Sequence, residues 1–220
     1  MTLSTLSAPP IETLGDLLER LGSVPLERVR MNPAPGTATE NDVLARPDGV
    51  KRLCELIDGV LVEKGTGFYK SRLGVVLIGR LEHFLERHDL GIVLGANAPL
   101  RLAPGLVRMP DVSFFCWDKF PNRKLPRAPM PDLAPDLAVE VLSRSNTEKE
   151  TARKMRDYFA AGTQLAWCLD PSSRTLRIYH SPQDFLVLTE NETVDGGAVL
   201  PGFEVSIAEW FRRAGRQQES

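Results

Sequence analysis

Pro135-Asp136-Leu137-Ala138-Val139-Glu140-Val141-Leu142-Ser143, residues 135–143, is the stretch on which the fold turns. From Leu137 to Leu142 it is a nearly continuous apolar run of strand length, the composition of a strand covered on both faces. One carboxylate interrupts it, Glu140, with apolar neighbours on both sides in sequence. A Glu is almost never fully buried unless it is paired. A strand-end salt bridge or an edge position is the plain explanation; a metal-binding or acid/base carboxylate is the functional one.

Downstream, Ser145 and Glu148 have the spacing of a capping box, and Ala152, Met155, Phe159 and Ala160 give the following helix an apolar stripe that ends at Gly162. Leu165 to Leu169 is a central strand, Asp170-Pro171-Ser172-Ser173 a turn, and Thr175 to His180 with Phe185 to Thr189 a closing meander. Upstream of the buried strand lies a proline-rich loop (Pro121 to Pro135). Before it come two expected strands, Gly91 to Leu102 and Val107 to Trp117, joined by a Pro104-Gly105 turn. Tyr69 to His88 carries Leu73, Val76, Leu77, Leu81, Phe84 and Leu85 at spacings of three and four, which predicts an amphipathic helix of about five turns. Leu53 to Ile57 and Val60 to Val62 flank Asp58-Gly59, a strong short-range hairpin signal. Residues 1–50, rich in proline and with one short helix around Leu14 to Leu21, are expected to be an N-terminal arm. The domain proper is expected over 51–212, with a short tail at 213–220.

The chain has 220 residues, 42% hydrophobic and 25% charged, which excludes disordered, collagen-like and disulfide-scaffold classes. Lys and Arg number 27 against 29 Asp and Glu, a net charge of −2, so bulk charge gives no pull toward nucleic acid. Cys54, Cys116 and Cys168 lie far apart with no CxxC, so neither a disulfide framework nor a zinc cluster is expected. The start of the sequence lacks a signal-peptide pattern and no apolar run approaches the ~20 residues of a membrane span. A cytoplasmic location with no membrane partner is therefore expected. His83 and His88 are five apart and do not share a helix face as a zinc pair would.

Other residues join Glu140 as candidates. Asp111 follows Pro110, which cannot donate to a sheet ladder, and an apolar strand continues beyond it. Taken alone, Pro-Asp starts a strand; two acids on neighbouring strands suit magnesium, which takes oxygen ligands and usually one or two protein carboxylates. Lys154 stands off the apolar stripe of its helix, where a solvated surface position is the ordinary explanation and a phosphate or water contact the functional one. Glu55 interrupts Leu53-Cys54-Glu55-Leu56-Ile57 much as Glu140 interrupts its own strand. Basic residues gather between Arg108 and Arg127 and again around Arg144, Arg153 and Lys154; Arg108, Lys119, Arg144, Arg153 and Tyr158 are the weaker candidates for touching nucleic acid.

Pro110-Asp111, a strand bearing Glu140 and a following basic residue together resemble the PD-(D/E)-x-K signature of the restriction-endonuclease-like nuclease superfamily. More closely, Glu55 to Gly59, Arg108 to Phe114, Pro135 to Ser143, Lys154 to Gly162 and the Trp167-x-x-Asp170-Pro171 strand end are similar to the bacterial Uma-type endonuclease family, from about Leu53 to Phe211. The resemblance implies an α/β (α+β) fold with a four-stranded mixed sheet flanked by helices and added hairpins. It also implies magnesium, with manganese as an alternative, held by Asp111, Glu140 and the Val141 carbonyl. Phosphodiester hydrolysis would follow, with DNA the expected nucleic acid and a homodimer compatible with cutting two strands. The expected mechanism is metal-assisted attack of water on a phosphodiester, with Asp111, Glu140, Lys154 and Glu55 as the catalytic set: Lys154 orients the nucleophile or steadies phosphate charge, and Glu55 binds a second metal or supports the ligands of the first. The signature Lys should stand two residues after the Glu, where this chain has Leu142, and Lys154 on the next helix is its expected substitute. Many members have a histidine where the first long helix starts; here Phe68-Tyr69-Lys70 stands there. The competing reading is a catalytically degenerate nuclease fold that binds nucleic acid or protein.

Overall fold

The computed structural model of the chain describes residues 12–45 and 53–215. The ends of the expected arm, its junction with the domain at position 51 and most of the 213–220 tail lie outside the described residues.

Thr13 caps α1 (Leu14–Arg20): its hydroxyl accepts from the Asp16 amide, and Asp16 accepts from the Thr13 amide in return. A 3-10 turn at Leu26–Arg28 and α2 (Glu40–Ala45) lead to the expected hairpin of β1 (Cys54–Ile57) and β2 (Val60–Glu63). Its turn residues Asp58 and Gly59 both have positive φ, 51° and 74°, which gives the two-residue connection the same twist as the strands. The first long helix, α3 (Phe68–His88), begins one residue before the expected start and buries Leu73, Val76, Leu77, Leu81 and Leu85.

Each of the next two expected strands is broken in two. One divides into β3 (Gly91–Gly95) and β4 (Leu100–Ala103), the other into β5 (Leu106–Arg108) and β6 (Val112–Cys116). β3 and β6 pair in one sheet while β4 and β5 pair in another, so the chain crosses between sheets twice. Both crossings contain a proline, Pro99 and Pro110, whose missing N–H cannot extend a ladder. Asp111 therefore stands at the seam between the sheets.

β7 (Leu137–Val141) is buried at every position, as its composition predicts. α4 (Glu148–Ala160), β8 (Leu165–Asp170), β9 (Thr175–Tyr179) and β10 (Phe185–Thr189) follow. β11 (Thr193–Gly196), β12 (Leu200–Ser206) and α5 (Ile207–Ala214) complete the chain. The main sheet has the order β10-β9-β8-β7-β6-β3, parallel only at β7–β8, and so is wider than the four strands that the resemblance implies. The second sheet, β2-β1-β5-β4, is antiparallel throughout. α3, β12 and α5 cover one face of the main sheet, where Leu73, Leu77, Val139, Trp167, Phe203 and Trp210 share a core. α4 covers the other, packing Met155 and Tyr158 on Ala138, Ala166 and Cys168.

Two details of α4 differ from expectation. Its N-cap is Thr147, whose hydroxyl accepts from the Glu150 amide, while Ser145 instead offers its carbonyl to Arg28. Its buried face is Thr151, Lys154, Met155 and Tyr158, and Ala152 and Ala160 are exposed. The helix is rotated so that its charged and hydroxyl groups, not its alanines, meet the sheet. Residues 17–29 lie against the hairpin, where Leu17, Leu21, Val24 and Val29 pack on Ile57, Val60 and Val62. Arg28 then ties this segment to α4 with two bonds to Glu150, 2.9 and 2.7 Å.

Gly91 marks the tightest approach in the main sheet, since a Cβ there would collide with the Phe115 carbonyl, a backbone atom with little room to move. Gly91→Ala is expected to lower unfolding stability by roughly 1–3 kcal/mol. Gly79→Ala, inside α3 with nothing within 4 Å of the added methyl, should raise it by about 0.5–1 kcal/mol. Thermal melts of the two variants check the pair, and a neutral Gly91→Ala would contradict the packing at β3–β6.

Candidate active site

The candidate residues meet at the seam. β1 brings Glu55, β5 brings Arg108, the β5–β6 link brings Asp111, β7 brings Glu140, and α4 brings Lys154 and Tyr158. Val112 pairs with Val139 at the end of the β6–β7 ladder, and the Asp111 amide donates to the Val139 carbonyl at 2.9 Å, so Asp111 lies beside the part of β7 that carries Glu140.

Lys154 joins two of the acids. Its Nζ is 3.0 Å from Glu140 Oε1 and 3.2 Å from Glu55 Oε1. Tyr158 Oη donates to the same Glu140 Oε1 at 2.5 Å, one helical turn along. Glu55 also accepts from the Met109 amide at 3.1 Å and from Arg108 at 2.7 Å, while the Arg108 guanidinium turns its other edge to Asp157. Asp111 is held differently. Its Oδ1 pairs with Lys64 at 2.9 Å, and its Oδ2 pairs with Lys70 at 2.8 Å and accepts from the Val141 amide at 2.8 Å. Every one of these side chains except Asp157 is buried.

Burial on its own penalises each charge, and the partners decide the outcome. It would raise the Glu55 carboxyl, but Lys154, Arg108 and Lys64 outweigh it and hold that group well below the ordinary carboxylate range. Burial would likewise raise Asp111, and Lys64 and Lys70 reverse the effect. Burial would discharge Lys154, whereas Glu140 and Glu55 keep its ammonium protonated. Tyr158 is pushed well above its usual value by burial and by Glu140, so it donates rather than accepts. Burial pushes the thiols up too, Cys116 to about 11, which suits packing residues rather than nucleophiles.

The donor chemistry fits a hard cation. A carboxylate offers about four lone-pair positions. Asp111 receives three bonds, and both bonds to Glu140 fall on Oε1, leaving Oε2 free of hydrogen bonds from described residues. No group of three or more His, Cys, Asp or Glu gathers as a metal cage among the described residues. Two carboxylates are nonetheless the usual protein share of a magnesium shell.

The surface candidates divide. Arg108 and Tyr158 are buried with their polar heads bound to carboxylates, so neither presents itself to a nucleic-acid backbone, a correction to the expectation from charge clustering. Lys119 turns to the Ala134 carbonyl and Asp136, Arg153 to Asp58 and the Arg20 carbonyl, and Arg144 is exposed. Sequence reasoning missed Lys64 and Lys70 as partners of Asp111. The signal for Lys70 was its place on the buried stripe of α3, one turn before Leu73 and Gly74. Beside Asp111 a cavity of about 670 Å3 opens, with both lysines in its lining.

Glu55, Asp111 and Glu150 are all held below their unfolded values, so the folded chain binds fewer protons there than the unfolded one. Their stabilisation is complete above about pH 5 and is lost as pH falls through the folded values. The melting temperature is expected to be level from neutral pH to about pH 5 and to drop on further acidification; a rise on the acid side would contradict the charge pairing.

No protein in the curated set matches the chain. Among solved structures, a crystal structure described as "a putative nuclease belonging to DUF820", from Anabaena variabilis ATCC 29413, superposes with a TM-score of 0.69 at 20% identity. The match covers 80% of this chain and 98% of that one, a likeness of fold. The family model Uma2, described as "Putative restriction endonuclease", matches residues 41–208, which include Glu55, Asp111, Glu140 and Lys154. A mixed sheet with its acids at the seam, the matching fold and a family model spanning most of the chain agree: this protein belongs to the Uma2 family.

Proposed function

We propose that the chain is a metal-dependent endonuclease that hydrolyses phosphodiester bonds in DNA. The observation that carries this reading is the buried Lys154 ammonium, 3.0 Å from Glu140 and 3.2 Å from Glu55, on the helix that leaves the Glu140 strand. It supplies from α4 the cation that Leu142 withholds from the strand.

Asp111, Glu140 and the Val141 carbonyl are the groups that would hold magnesium or manganese. Bound there, the cation would neutralise phosphate charge and lower the pKa of a water. Tyr158 and Lys154 occupy Glu140 Oε1 and so leave its other oxygen to serve as a ligand. An ammonium has three donors; two of those on Lys154 go to Glu140 and Glu55, and the third serves the attacking water or a phosphate oxygen. Glu55, clamped by Arg108 and the Met109 amide, is a positioning residue that holds Lys154 together with Glu140. Lys64 and Lys70 balance Asp111 and lie where an incoming phosphate would meet them.

A second reading, a degenerate fold that binds nucleic acid without cutting it, draws on one observation: Asp111 is already held by two lysines. Nicking of supercoiled DNA, cutting of linear DNA and cutting of RNA, each in magnesium, manganese or chelator, separates the two. The nuclease reading expects DNA cleavage with metal and none in chelator; no cleavage under any condition favours the binding module.

Glu140→Gln keeps the shape and the bond from Tyr158 while removing a charge. It should reduce cleavage by on the order of 100-fold or more with the fold retained, and undiminished nicking would overturn the assignment. Lys154→Met should also abolish cleavage. Because it leaves the buried Glu140 with no cationic partner and strips Glu55 of one of its two, it should lower stability by about 3–5 kcal/mol, measured by denaturant unfolding.

A further inference from the structure

The cavity of about 670 Å3 beside Asp111 combines two kinds of wall. Its charged lining is Lys64, Lys70 and Asp111, two ammonium groups against one carboxylate, which leaves a net positive charge at the reacting end. The rest is largely apolar, with Leu53, Val75 and Ile78 in the wall and Phe68 at the start of α3. Phe68 is 94% exposed, the most open large hydrophobic side chain among the described residues. A single exposed Phe is ordinary on a protein surface. This one borders a cavity of ligand size that also holds buried cations.

Along α3 the positive character continues. Val75 also lines a neighbouring hollow of about 420 Å3, whose charged residues are Arg72, Arg80 and Arg213 against Glu209. The two hollows thus carry Lys64 and Lys70 at one end and, at the other, Arg72 and Arg80 of α3 with Arg213 of α5. A polyanion laid along both would meet cations at both ends and apolar surface between them.

We infer that this cavity takes an unstacked nucleotide of a single-stranded or frayed polynucleotide, its phosphate toward Lys64 and Lys70 and its base stacked on Phe68. The inference rests on the nuclease reading and specifies its substrate: a strand whose bases are free to leave the stack. In a continuous duplex the bases are already paired and stacked, and Phe68 has no π-face to meet. Base–aromatic stacking is indifferent to base identity, so the site selects strandedness rather than sequence.

The test uses the full chain in chelator, where it does not cut, and follows fluorescence anisotropy of a labelled oligothymidylate and of a blunt duplex of equal length. Wild type is expected to bind the single strand more tightly. Phe68→Ala, which leaves the buried charges untouched, should weaken that binding about fivefold or more while changing duplex binding little, and Phe68→Trp should restore it. The Trp of the latter should also be quenched on binding. Equal affinity of wild type and Phe68→Ala for the single strand, or a wild-type preference for duplex, overturns the inference. If wild type cuts DNA with magnesium yet gives either result, the nuclease reading stands and the role of Phe68 falls. If it neither cuts nor binds these probes, both fall.

Discussion

A lysine ammonium held between two buried carboxylates is the constraint on which this architecture rests. Removing a charge from water costs several kcal/mol unless a well-placed partner meets it, and here Glu55, Lys154 and Glu140 are partners across three elements. Lys154 reaches them only because α4 is turned with Lys154 and Tyr158 toward the sheet. Glu55 reaches it only because the hairpin sheet abuts the main sheet at the seam. The cluster thus links the second sheet, the main sheet and α4, and Arg28 extends the linkage to the N-terminal segment through Glu150.

The seam also explains why the acids lie where they do. Pro110 ends one ladder, and the chain enters the next at Val112, so Asp111 has a side chain free of strand packing but held close to β7. Glu140 lies inside β7, a strand whose other residues are apolar and buried. Polar groups concentrate there because the ladder is interrupted, leaving room for Lys64 and Lys70 to reach Asp111 from β2's end and from α3.

Much of this was legible in the sequence where one periodicity dominates. The Asp58-Gly59 hairpin, α3, β7, β8 and the β9–β10 meander stand within a residue or two of expectation, because their apolar spacing and turn chemistry agree. The broken strands did not announce themselves: Gly91 to Leu102 and Val107 to Trp117 keep a strand-like composition while changing sheets, a tertiary choice that local pattern does not encode. Thr147 rather than Ser145 caps α4, its hydroxyl accepting from the Glu150 amide while the Ser145 hydroxyl meets that of Ser143. β11, β12 and α5 went unread, although Ser206 and Glu209 form the same cap pattern. At the site, Glu140, Asp111, Glu55 and Lys154 stood out as charges in or beside apolar runs. Lys64 and Lys70 did not, since a lysine at a strand end or on a helix is usually solvated and its burial depends on an acid brought from elsewhere in the chain.

The central claim, that Asp111 and Glu140 together form a seat for a divalent cation, is tested most directly by calorimetric titration of magnesium and manganese into the wild-type chain, Asp111→Asn and Glu140→Gln. The account predicts a saturable site in the wild type that both substitutions remove. Equal binding by all three proteins, or no binding by the wild type, would contradict it.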